Sequence, residues 1–377
     1  MAGAGPTGLT AAFYLAMLGH DVTIFEERAE AGGMLRFAIP EYRLPKAVLR
    51  RELDLIEGLG VKMVFNTRVG IDLPLNDLAN QFDAVFLSVG TWKESWLYLP
   101  GTELKGVYPA LPFLESVARH EPPAMGSRVA IIGGGNAAID SARTVLRMGA
   151  TATILYRRER KDMPAIDEEI QAAEEEGIRF VFLAAPHRIL GDANGNVKAI
   201  EIVKTRLGEY DKSGRRRPIP TDEVQRFACE RVILAVGETF DQDFCRASGL
   251  ALTEEGTIVV DRFTLETSRA NFYAGGDVIT GASNVSNAMA GGKQAAQKMN
   301  ERLMGGTRWE LLFPQFDYGR QVPGEPSLSR RHNGLAVPAS ARAQSQEEVV
   351  IGLSAKEALE ECRRCLRCDL RVTANGS

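Results

Sequence analysis

The stretch GAGPTGLTAAFYLAMLGHDVTIFEE, residues 3–27, decides the predicted fold. Gly3, Gly5 and Gly8 form the pattern G-x-G-x-x-G, an apolar helical run follows from Leu9, and a strand ends at Glu26. In this pattern the first glycine makes a tight turn, the second lets the backbone approach a diphosphate, and the third packs the helix on the strand. Because the helix begins at this loop, its unpaired N–H groups face the phosphates. We therefore predict a dinucleotide-binding unit in residues 3–27.

Residues 133–157, GGGNAAIDSARTVLRMGATATILYR, repeat this arrangement. Gly133, Gly135 and Ala138 form G-x-G-x-x-A after the apolar strand RVAIIG, and a helix and the strand ATATILY are predicted to follow. A lone glycine-rich turn is weak evidence, but turn, helix and strand follow in the right order both times. The chain is thus predicted to contain two dinucleotide sites.

The two copies differ at the residue that ends the second strand. Glu26 ends the first copy, and a carboxylate there accepts hydrogen bonds from a ribose diol. The second copy has Tyr156 instead, followed by Arg157 and Arg158, whose guanidinium groups suit a 2′-phosphate. The first site therefore suits FAD and the second suits NADPH. If both arginines are only solvated loop charges, NADH takes the second site.

The first motif requires a preceding strand, and only Met1 and Ala2 stand before it, whereas the second motif follows SRVAII. A parallel sheet without its central strand would expose a face and edges that such sheets normally bury. We therefore expect the functional polypeptide to extend beyond this N-terminus or to start elsewhere.

Three later segments are predicted to be strands that return to the dinucleotides. FDAVFLSVGTW (82–92) and ERVILAVGETFD (230–241) are apolar and end in small residues, and TSRANFYAGGDV (267–278) ends in a Gly-Gly-Asp turn. The acid of that turn, Asp277, can hold the ribitol hydroxyls of a flavin or can cap a turn. A helix is predicted to start near Asn284, and its positive N-terminal end either favours negative charge on the flavin or only packs.

These motifs resemble those of the two-dinucleotide-binding flavoproteins, in the branch of the glutamate synthase small subunit and the flavin segment of dihydropyrimidine dehydrogenase. The resemblance covers roughly residues 3–305 and continues into EEVVIGLSAKEALEECRRCLRCDL at residues 347–370. Its most particular part is GGMLRFAIPEYRLPK, residues 32–46. Further matches are GVYPALPFL (106–114), GGGNAAIDSAR (133–143) and ILYRRERKDMPA (154–165).

The resemblance implies an α/β fold with two Rossmann-like dinucleotide-binding domains, the NAD(P)H domain being inserted into the FAD domain. The implied boundaries are residues 1–108 and 245–310 for the two parts of the FAD domain, 109–244 for the NAD(P)H domain, and 311–377 for a C-terminal extension with a cysteine-rich helix. Segment 32–46 is implied to pass under the flavin. Ala38 departs from the family pattern, which usually has glycine there.

Together, the motifs and the resemblance predict two sets of cofactor-binding residues. The FAD set is Gly3, Gly5, Pro6, Thr7, Gly8, Glu26, Glu27, Gly33, Met34, Leu35, Arg43, Val69, Gly90, Thr91, Gly276, Asp277, Asn284, Val285 and Ser286. The NAD(P)H set is Gly133, Gly135, Asn136, Ala137, Arg157, Arg158 and Gly237. No catalytic side chain is predicted, because hydride transfer from nicotinamide to flavin depends on placement more than on acid–base groups.

The cysteines fall into two groups. Cys229 and Cys245 are isolated, and none precedes them, so they are predicted to be buried structural thiols and a disulfide reductase is disfavoured. The other three, Cys362, Cys365 and Cys368, form C-x2-C-x2-C near the C-terminus.

The predicted helix that carries these three cysteines has a capping box, Ser354 with Glu357. The cysteine spacing matches the first part of a [4Fe–4S] motif without its fourth cysteine. Three interpretations follow: the tail helps ligate a [4Fe–4S] cluster completed by another segment or chain, it binds zinc, or it carries no metal, its cysteines being simply reduced or packing against a partner.

The composition excludes several classes of protein. The chain has 45 Lys and Arg against 49 Asp and Glu, scattered along its length, so a nucleic-acid partner is not expected. No apolar run approaches the ~20 residues that span a bilayer, so membrane insertion is not expected. Five cysteines, three of them in one tail motif, do not make a secreted disulfide framework. We therefore expect a cytoplasmic protein.

The sequence favours a flavoprotein electron-transfer subunit that exchanges a hydride between NAD(P)H and FAD and passes electrons to or from iron–sulfur centres of a catalytic redox subunit. The alternative is a self-sufficient NAD(P)H-dependent flavin reductase that acts on a small-molecule or quinone acceptor. A non-enzymatic scaffold is disfavoured because both phosphate loops are intact. Residues 312–348 have little periodicity, and we expect them to meet the partner.

Overall fold

The computed structural model describes residues 1–95, 97–211, 214–305, 329–332 and 334–364. The helices in these ranges are α1 (Pro6–Met17), α2 (Met34–Phe37), α3 (Lys46–Gly58), α4 (Leu75–Gln81), α5 (Ala110–Ala118), α6 (Asn136–Arg147), α7 (Asp167–Glu175), α8 (Gln242–Ala247), α9 (Asp277–Thr280), α10 (Val285–Met304), α11 (Ala339–Arg342) and α12 (Ala355–Arg364). The strands are β1 (Thr23–Phe25), β2 (Lys62–Val64), β3 (Val85–Leu87), β4 (Lys93–Glu94), β5 (Val107–Pro109), β6 (Arg128–Ile132), β7 (Thr151–Tyr156), β8 (Arg179–Phe182), β9 (Ala184–Gly191), β10 (Val197–Tyr210), β11 (Arg216–Ala228), β12 (Arg231–Leu234), β13 (Glu238–Thr239), β14 (Phe272–Ala274), β15 (Leu335–Ala336) and β16 (Val350–Gly352).

The N-terminal sheet, here sheet I, contains the first glycine motif. Its named strands form two parallel pairs, β1 with β2 and β3 with β14. Ala2 joins the pairs, because it bridges Phe25 on one side and Leu87 on the other. Its N–H donates to the Phe86 carbonyl at 2.8 Å, and the Gly3 N–H donates to the Phe25 carbonyl at 2.8 Å. Residues 1–3 thus take the central position of sheet I. This is the position where we expected the strand before the first glycine motif to be missing.

The amino group of Met1 is held inside this sheet. It donates to the Thr23 carbonyl at 2.7 Å. Burial lowers the pKa of this amine to about 5, because an ammonium is poorly solvated in the core.

A second sheet, sheet II, contains the other glycine motif and has the parallel order β5-β12-β6-β7-β8. Ile131, Ile139 and Ile154 are fully buried between its central strands and α6. Strands β6 and β7 and helix α6 confirm the turn, helix and strand that the second motif predicted. Both faces of a parallel sheet must be covered, and the antiparallel sheet III, β9-β10-β11, covers the other face through Ile200 and Ile202.

The chain leaves sheet I, builds sheets II and III, and then returns. Strand β14 follows sheet II in the sequence yet pairs with β3 of sheet I. The outgoing and returning segments lie side by side, because β4 and β13 pair in antiparallel fashion with Lys93 opposite Thr239. This connectivity is the predicted insertion of one dinucleotide-binding unit into another.

Helix α10 packs closely against α1 and confirms the helix predicted near Asn284, whose side chain caps it by accepting from the Asn287 N–H at 2.9 Å. The contact depends on Gly292, since a Cβ there would lie 2.2 Å from the Thr7 carbonyl oxygen. Although α10 has 20 residues, no helix in the described part of the chain is both long and apolar enough to cross a bilayer.

We predict that Gly292→Ala destabilises the fold and Gly58→Ala does not. In α10 the new methyl group would force α1 and α10 apart, an overpacking cost of about 1–3 kcal/mol in the free energy of unfolding. Gly58, at the end of α3, has nothing within 4 Å of its Cβ position, so alanine there should stabilise by up to about 0.5–1 kcal/mol through the unfolded state. Denaturant unfolding of both variants tests this, and equal effects would refute the packing argument.

Candidate cofactor-binding cleft

A single open cleft with a volume of about 1730 Å³ lies between sheets I and II. Pockets for one small ligand usually measure about 300–1,000 Å³, so this cleft has room for more than one. Both glycine loops open into it: Gly3, Gly5, Pro6 and Thr7 from one side, and residues 133–137 from the other. The predicted cofactor sites therefore face each other across one space.

Most predicted binding residues line this cleft. They are Gly3, Gly5, Pro6, Thr7, Glu26, Glu27, Gly33, Met34, Arg43, Val69, Gly90, Thr91, Gly133, Gly135, Asn136, Ala137, Arg157, Arg158, Gly237, Asp277, Asn284, Val285 and Ser286. Gly8, Leu35 and Gly276 are not part of the lining. Leu35 packs on the core of sheet I. Added Cβ atoms at Gly8 and Gly276 would lie 2.1 Å from the Gly3 carbonyl oxygen and 2.2 Å from Thr7 Oγ1, so both glycines support the loop from behind.

The mouth of the first loop is shaped by close backbone approach. Gly5 is the N-cap of α1 and has no side chain to bond the first N–H groups. Gly33 lies opposite with φ of +52°, and a Cβ there would lie 2.8 Å from the Gly5 Cα. A surface formed by bare backbone and open N–H groups fits a diphosphate.

Glu26 stands at the end of β1 and is 4% exposed. Its Oε2 accepts from the Ala4 N–H at 2.7 Å, and its Oε1 accepts from the Arg28 N–H at 3.0 Å. Burial raises the pKa of Glu26, although these two hydrogen bonds oppose the rise. Each carboxylate oxygen keeps a further lone pair, so the fixed carboxylate can accept from the hydroxyls of a ribose.

Thr91 supplies a direct test of whether a polar ligand fits. It is 2% exposed, and its Oγ1 has no hydrogen-bond partner among the described residues. Buried hydroxyls are rarely left without a partner. Because Thr91 lines the cleft, a bound FAD can supply the missing partner.

Two acids face the far end of the first site. Asp277 accepts from Ser283 Oγ at 2.6 Å, and Glu238 lines the same cleft. Burial raises the pKa of both carboxyls, and the negative charge of Asp277 raises that of Glu238 further. Asp277 was expected from the sequence, whereas Glu238 was not. Its only signal is its position directly after Gly237, where the chain returns to the cleft.

At the second loop, Gly133 has φ of +143°, and a Cβ there would lie 2.1 Å from the Ala235 carbonyl oxygen. Gly134 passes over the Tyr156 ring, which a Cβ would approach to 2.5 Å. Tyr156 in turn donates to the Asp162 carbonyl at 2.7 Å. The residue that replaces the acid of the first copy is thus a fixed aromatic support under the loop.

The two arginines after Tyr156 differ in their surroundings. Arg158 is buried, donates to Asp211 at 2.6 Å and to the Arg216 carbonyl at 2.7 Å. Arg157 is exposed at the cleft and forms no salt bridge within the described ranges. Partial burial and the charge of Arg158 lower the pKa of Arg157. Arg157 is therefore better placed than Arg158 to meet a phosphate.

A third arginine, Arg215, also lines the cleft near this pair. It arrives from the turn between β10 and β11 of sheet III, more than fifty positions further along the chain. The run Arg215–Arg217 was visible in the sequence, but its position was not, because sheet III itself was not predicted.

Two arginines from the unit of sheet I bond acids on the helices that pack on sheet II. Arg43 Nη1 donates to both oxygens of Asp140 at 2.8 Å, and its Nε lies 3.0 Å from Glu169. Burial alone would lower the pKa of Arg43, but the two carboxylates outweigh it and raise the pKa. Burial raises the pKa of Asp140 to about 6 despite Arg43. Arg43 was predicted near the cofactor, and it lines the cleft as half of this ion pair.

Arg28 makes the other crossing, and the sequence did not single it out. It donates to Glu115 of α5 at 3.2 and 3.1 Å. Its guanidinium stacks 3.8 Å from the centre of the Trp92 ring. A planar, bidentate and stacked arginine is a strong connection, and Arg28 lines the cleft beside Glu27.

Lys46 shapes the segment that was predicted to lie under the flavin. Its ammonium donates to the carbonyls of Leu35, Ile39 and Leu44 at 3.0, 2.7 and 3.0 Å. Burial lowers its pKa to about 8. One side chain thus connects three backbone carbonyls of segment 32–46.

The structure confirms the prediction that two of the cysteines are buried. Cys229 and Cys245 are buried, and burial raises the pKa of each thiol to about 12, so both are protonated. Cys362 is exposed on α12, and Cys365 and Cys368 lie outside the described residues. The Ser354–Glu357 capping box is confirmed, since the Ser354 N–H donates to Glu357 at 2.8 Å and the Glu357 N–H to Ser354 Oγ at 3.3 Å.

Two dinucleotide loops that open on one cleft define a class, the pyridine nucleotide-dependent flavoprotein oxidoreductases. A model of the family described as pyridine nucleotide-disulphide oxidoreductase matches residues 2–292. The chain belongs to this family.

Comparison with curated proteins places the chain in the predicted branch. It is 38% identical to the NADP(+)-dependent formate dehydrogenase subunit beta of Moorella thermoacetica, over 97% of this chain and 54% of that protein. It is 36% identical to the glutamate synthase [NADPH] small chain of Escherichia coli strain K12, over 78% of this chain and 66% of that protein. The chain thus spans less than two thirds of the length of either relative.

Among solved structures, FprA of Mycobacterium tuberculosis in complex with NADPH has the same fold. Its TM-score is 0.68 at 19% identity, and the match covers 81% of this chain and 84% of that one. At this level of identity the likeness concerns the fold alone. It confirms the predicted two-unit α/β architecture.

We predict that Lys46→Met weakens FAD binding. The variant leaves three carbonyls without their shared donor, and hydrogen bonds to a charged group contribute about 1.5–3 kcal/mol each. A net loss of about 2 kcal/mol would weaken FAD binding on the order of 30-fold, as measured by titration of the apoprotein with FAD.

Lys62→Met, at an exposed lysine of β2, is the matched control and should bind FAD as the wild type does. Because Lys46 loses its ammonium proton with a pKa of about 8, FAD affinity of the wild type should also fall as pH rises through about 8. That pH step should be missing in Lys46→Met. Equal FAD affinity of the two variants would contradict the role assigned to Lys46.

Proposed function

We propose that this chain exchanges a hydride between NADPH and FAD in the cleft and passes single electrons to or from iron–sulfur centres of a partner redox subunit. The observation that carries the proposal is the single cleft into which both glycine loops open. Two cofactors that share one space can bring their reactive rings together. FAD, when bound, supplies the step between two-electron hydride chemistry and one-electron transfer.

The residues around sheet I are proposed to hold FAD. The N-terminus of α1 would bind its diphosphate, and Glu26 would accept from its adenosine ribose. Asp277 would accept from the ribitol hydroxyls, and Thr91 would gain the hydrogen-bond partner that it otherwise lacks. Segment 32–46, held by Lys46, would form the wall beside the flavin ring.

The residues around sheet II are proposed to hold NADPH. The N-terminus of α6 would bind its diphosphate, and Arg157 with Arg215 would bind its 2′-phosphate. A carboxylate at the position of Tyr156 would repel that phosphate. The tyrosine there therefore supports the choice of NADPH. The names of the relatives also include NADP(+) or NADPH.

A partner subunit is supported by two kinds of observation. The relatives described above are named as a subunit and as a small chain of larger enzymes. No cysteine lines the cleft in the described part of the chain, so an internal disulfide is not the proposed acceptor. We propose that α12 and the cysteines that follow it contact or help ligate an iron–sulfur centre, with Cys362, Cys365 and Cys368 as ligands.

We predict that Arg157→Ala raises the KM for NADPH at least about tenfold and leaves the KM for NADH within about twofold, because only NADPH carries the 2′-phosphate. Steady-state diaphorase assays with both nucleotides measure the change. Arg262→Ala, at an exposed arginine far along the chain, should alter neither value. If Arg157→Ala leaves both KM values unchanged, the phosphate contact is assigned wrongly.

A second prediction concerns the tail. Protein prepared without oxygen should contain about one flavin per chain, together with iron and acid-labile sulfide, if the tail takes part in a cluster. Cys362→Ser should lower iron and sulfide without lowering flavin, whereas Cys245→Ala, at a buried thiol, should leave both unchanged. If the wild type contains flavin but no iron, the cluster is assigned to the partner alone.

A further inference from the structure

Residues 335–352 form a strap that runs from β15 through α11 to β16. Its two strands pair with each other, and the Val337 N–H donates to the Val349 carbonyl at 3.0 Å. Leu335, Val350 and Ile351 are exposed and Val349 is buried, so most of the large apolar side chains of the strap contribute little to its attachment. Its attachment to the rest of the chain depends instead on hydrogen bonds and ion pairs.

The central anchor of the strap is Arg342, which is 5% exposed. Its Nε donates to Glu176 at 3.1 Å, and its Nη2 bonds Glu175. Glu176 has a fully buried side chain and also accepts from Arg143 at 3.0 and 2.6 Å and from Arg147 at 2.9 and 3.2 Å. Burial would raise the pKa of Glu176, but these arginines outweigh it and lower the pKa.

The ion pairs continue from this anchor to the cleft. Arg143 bonds Glu169 as well as Glu176, and Glu169 also forms an ion pair with Arg43. Arg43 in turn bonds Asp140, and both of these residues line the cleft. Four arginines thus alternate with four acids: Arg342, Arg147, Arg143 and Arg43 with Glu175, Glu176, Glu169 and Asp140. Removing one partner of a buried ion pair lowers the free energy of unfolding much more than removing one partner of an exposed pair.

The strap also contacts the segment before Arg43 directly. The Val349 N–H donates to the Tyr42 carbonyl at 3.0 Å, and Arg147 Nε donates to the Ser345 carbonyl at 2.9 Å. The fully buried Tyr42 ring lies 3.8 Å from the Arg147 guanidinium. The strap therefore holds both α6, which begins at the nucleotide loop, and the segment that walls the flavin site.

We infer that Arg342 is a positioning residue for hydride transfer: through Glu176 it fixes α6 relative to Tyr42 and Arg43, and so sets the placement of the nicotinamide against the flavin. The inference rests on the proposed hydride transfer from NADPH to FAD. Such transfer is sensitive to placement, since a misplacement of about 1 Å can cost on the order of 10²-fold in rate. Arg342 touches neither loop, so its loss should change the rate and not the affinity.

The test is anaerobic stopped-flow reduction of bound FAD by NADPH in Arg342→Ala, Arg342→Lys and the control Arg262→Ala. We expect Arg342→Ala to lower the limiting rate about tenfold while the Kd for NADPH stays within twofold. Arg342→Lys, which keeps the charge, should recover part of the rate. Hydrogen–deuterium exchange should rise at residues 40–43 and in α6 of the alanine variant, and Arg262→Ala should match the wild type in both measurements.

A less stable Arg342→Ala with an unchanged limiting rate and unchanged exchange at residues 40–43 would overturn the inference, because the strap would then be structural only. If the alanine variant does not fold, Arg342→Gln, which keeps one N–H donor, is measured with the same two outcomes. If NADPH does not reduce the flavin of the wild type, the proposed function fails instead. The exchange measurement then still decides whether Arg342 orders residues 40–43.

Discussion

The fold depends on two places where the backbone must pass over the end of a parallel strand without a side chain. A Cβ at Gly3 would lie 2.7 Å from the Ser88 carbonyl oxygen, and one at Gly133 would lie 2.1 Å from that of Ala235. Ser88 directly follows β3 and Ala235 directly follows β12, so the constraint is the same in both sheets. It sets where α1 and α6 begin, and both helix N-termini consequently face the cleft.

This constraint explains why so much of the fold could be predicted. The glycine spacing, the helix period and the apolar strands are local signals, and they located α1, α6, β6, β7 and the cap of α10. Sheet III was missed because its antiparallel pairing has no counterpart in the repeated motif. Two of the three tail cysteines, Cys365 and Cys368, lie outside the described residues.

The candidate site was predictable only where its residues lie in the motifs. Glu26 and Arg157 follow their glycine loops at a fixed spacing, so each could be assigned a role in advance. Arg215 reaches the cleft from sheet III and Arg28 is held beside it by Glu115 of α5, through long-range contacts that no periodicity records. Glu238 had only its position after Gly237 as a signal. For Arg43, the residue was predicted, but its ion pair with Asp140 could not be, because that pair joins elements almost a hundred positions apart.

The ion pairs between the two units all have the arginine on one unit and the acid on the other. Arg28 and Arg43, both from the sheet I side, bond acids on the helices of sheet II. In the described part of the chain, the two segments that connect the units pair with each other through the short strands β4 and β13. Bidentate arginine–carboxylate pairs are directional, and a partly buried pair is screened less by salt than an exposed one. Side-chain charge therefore adds directional connections to this short backbone pairing, and the strap adds a third such connection from the far side of α6.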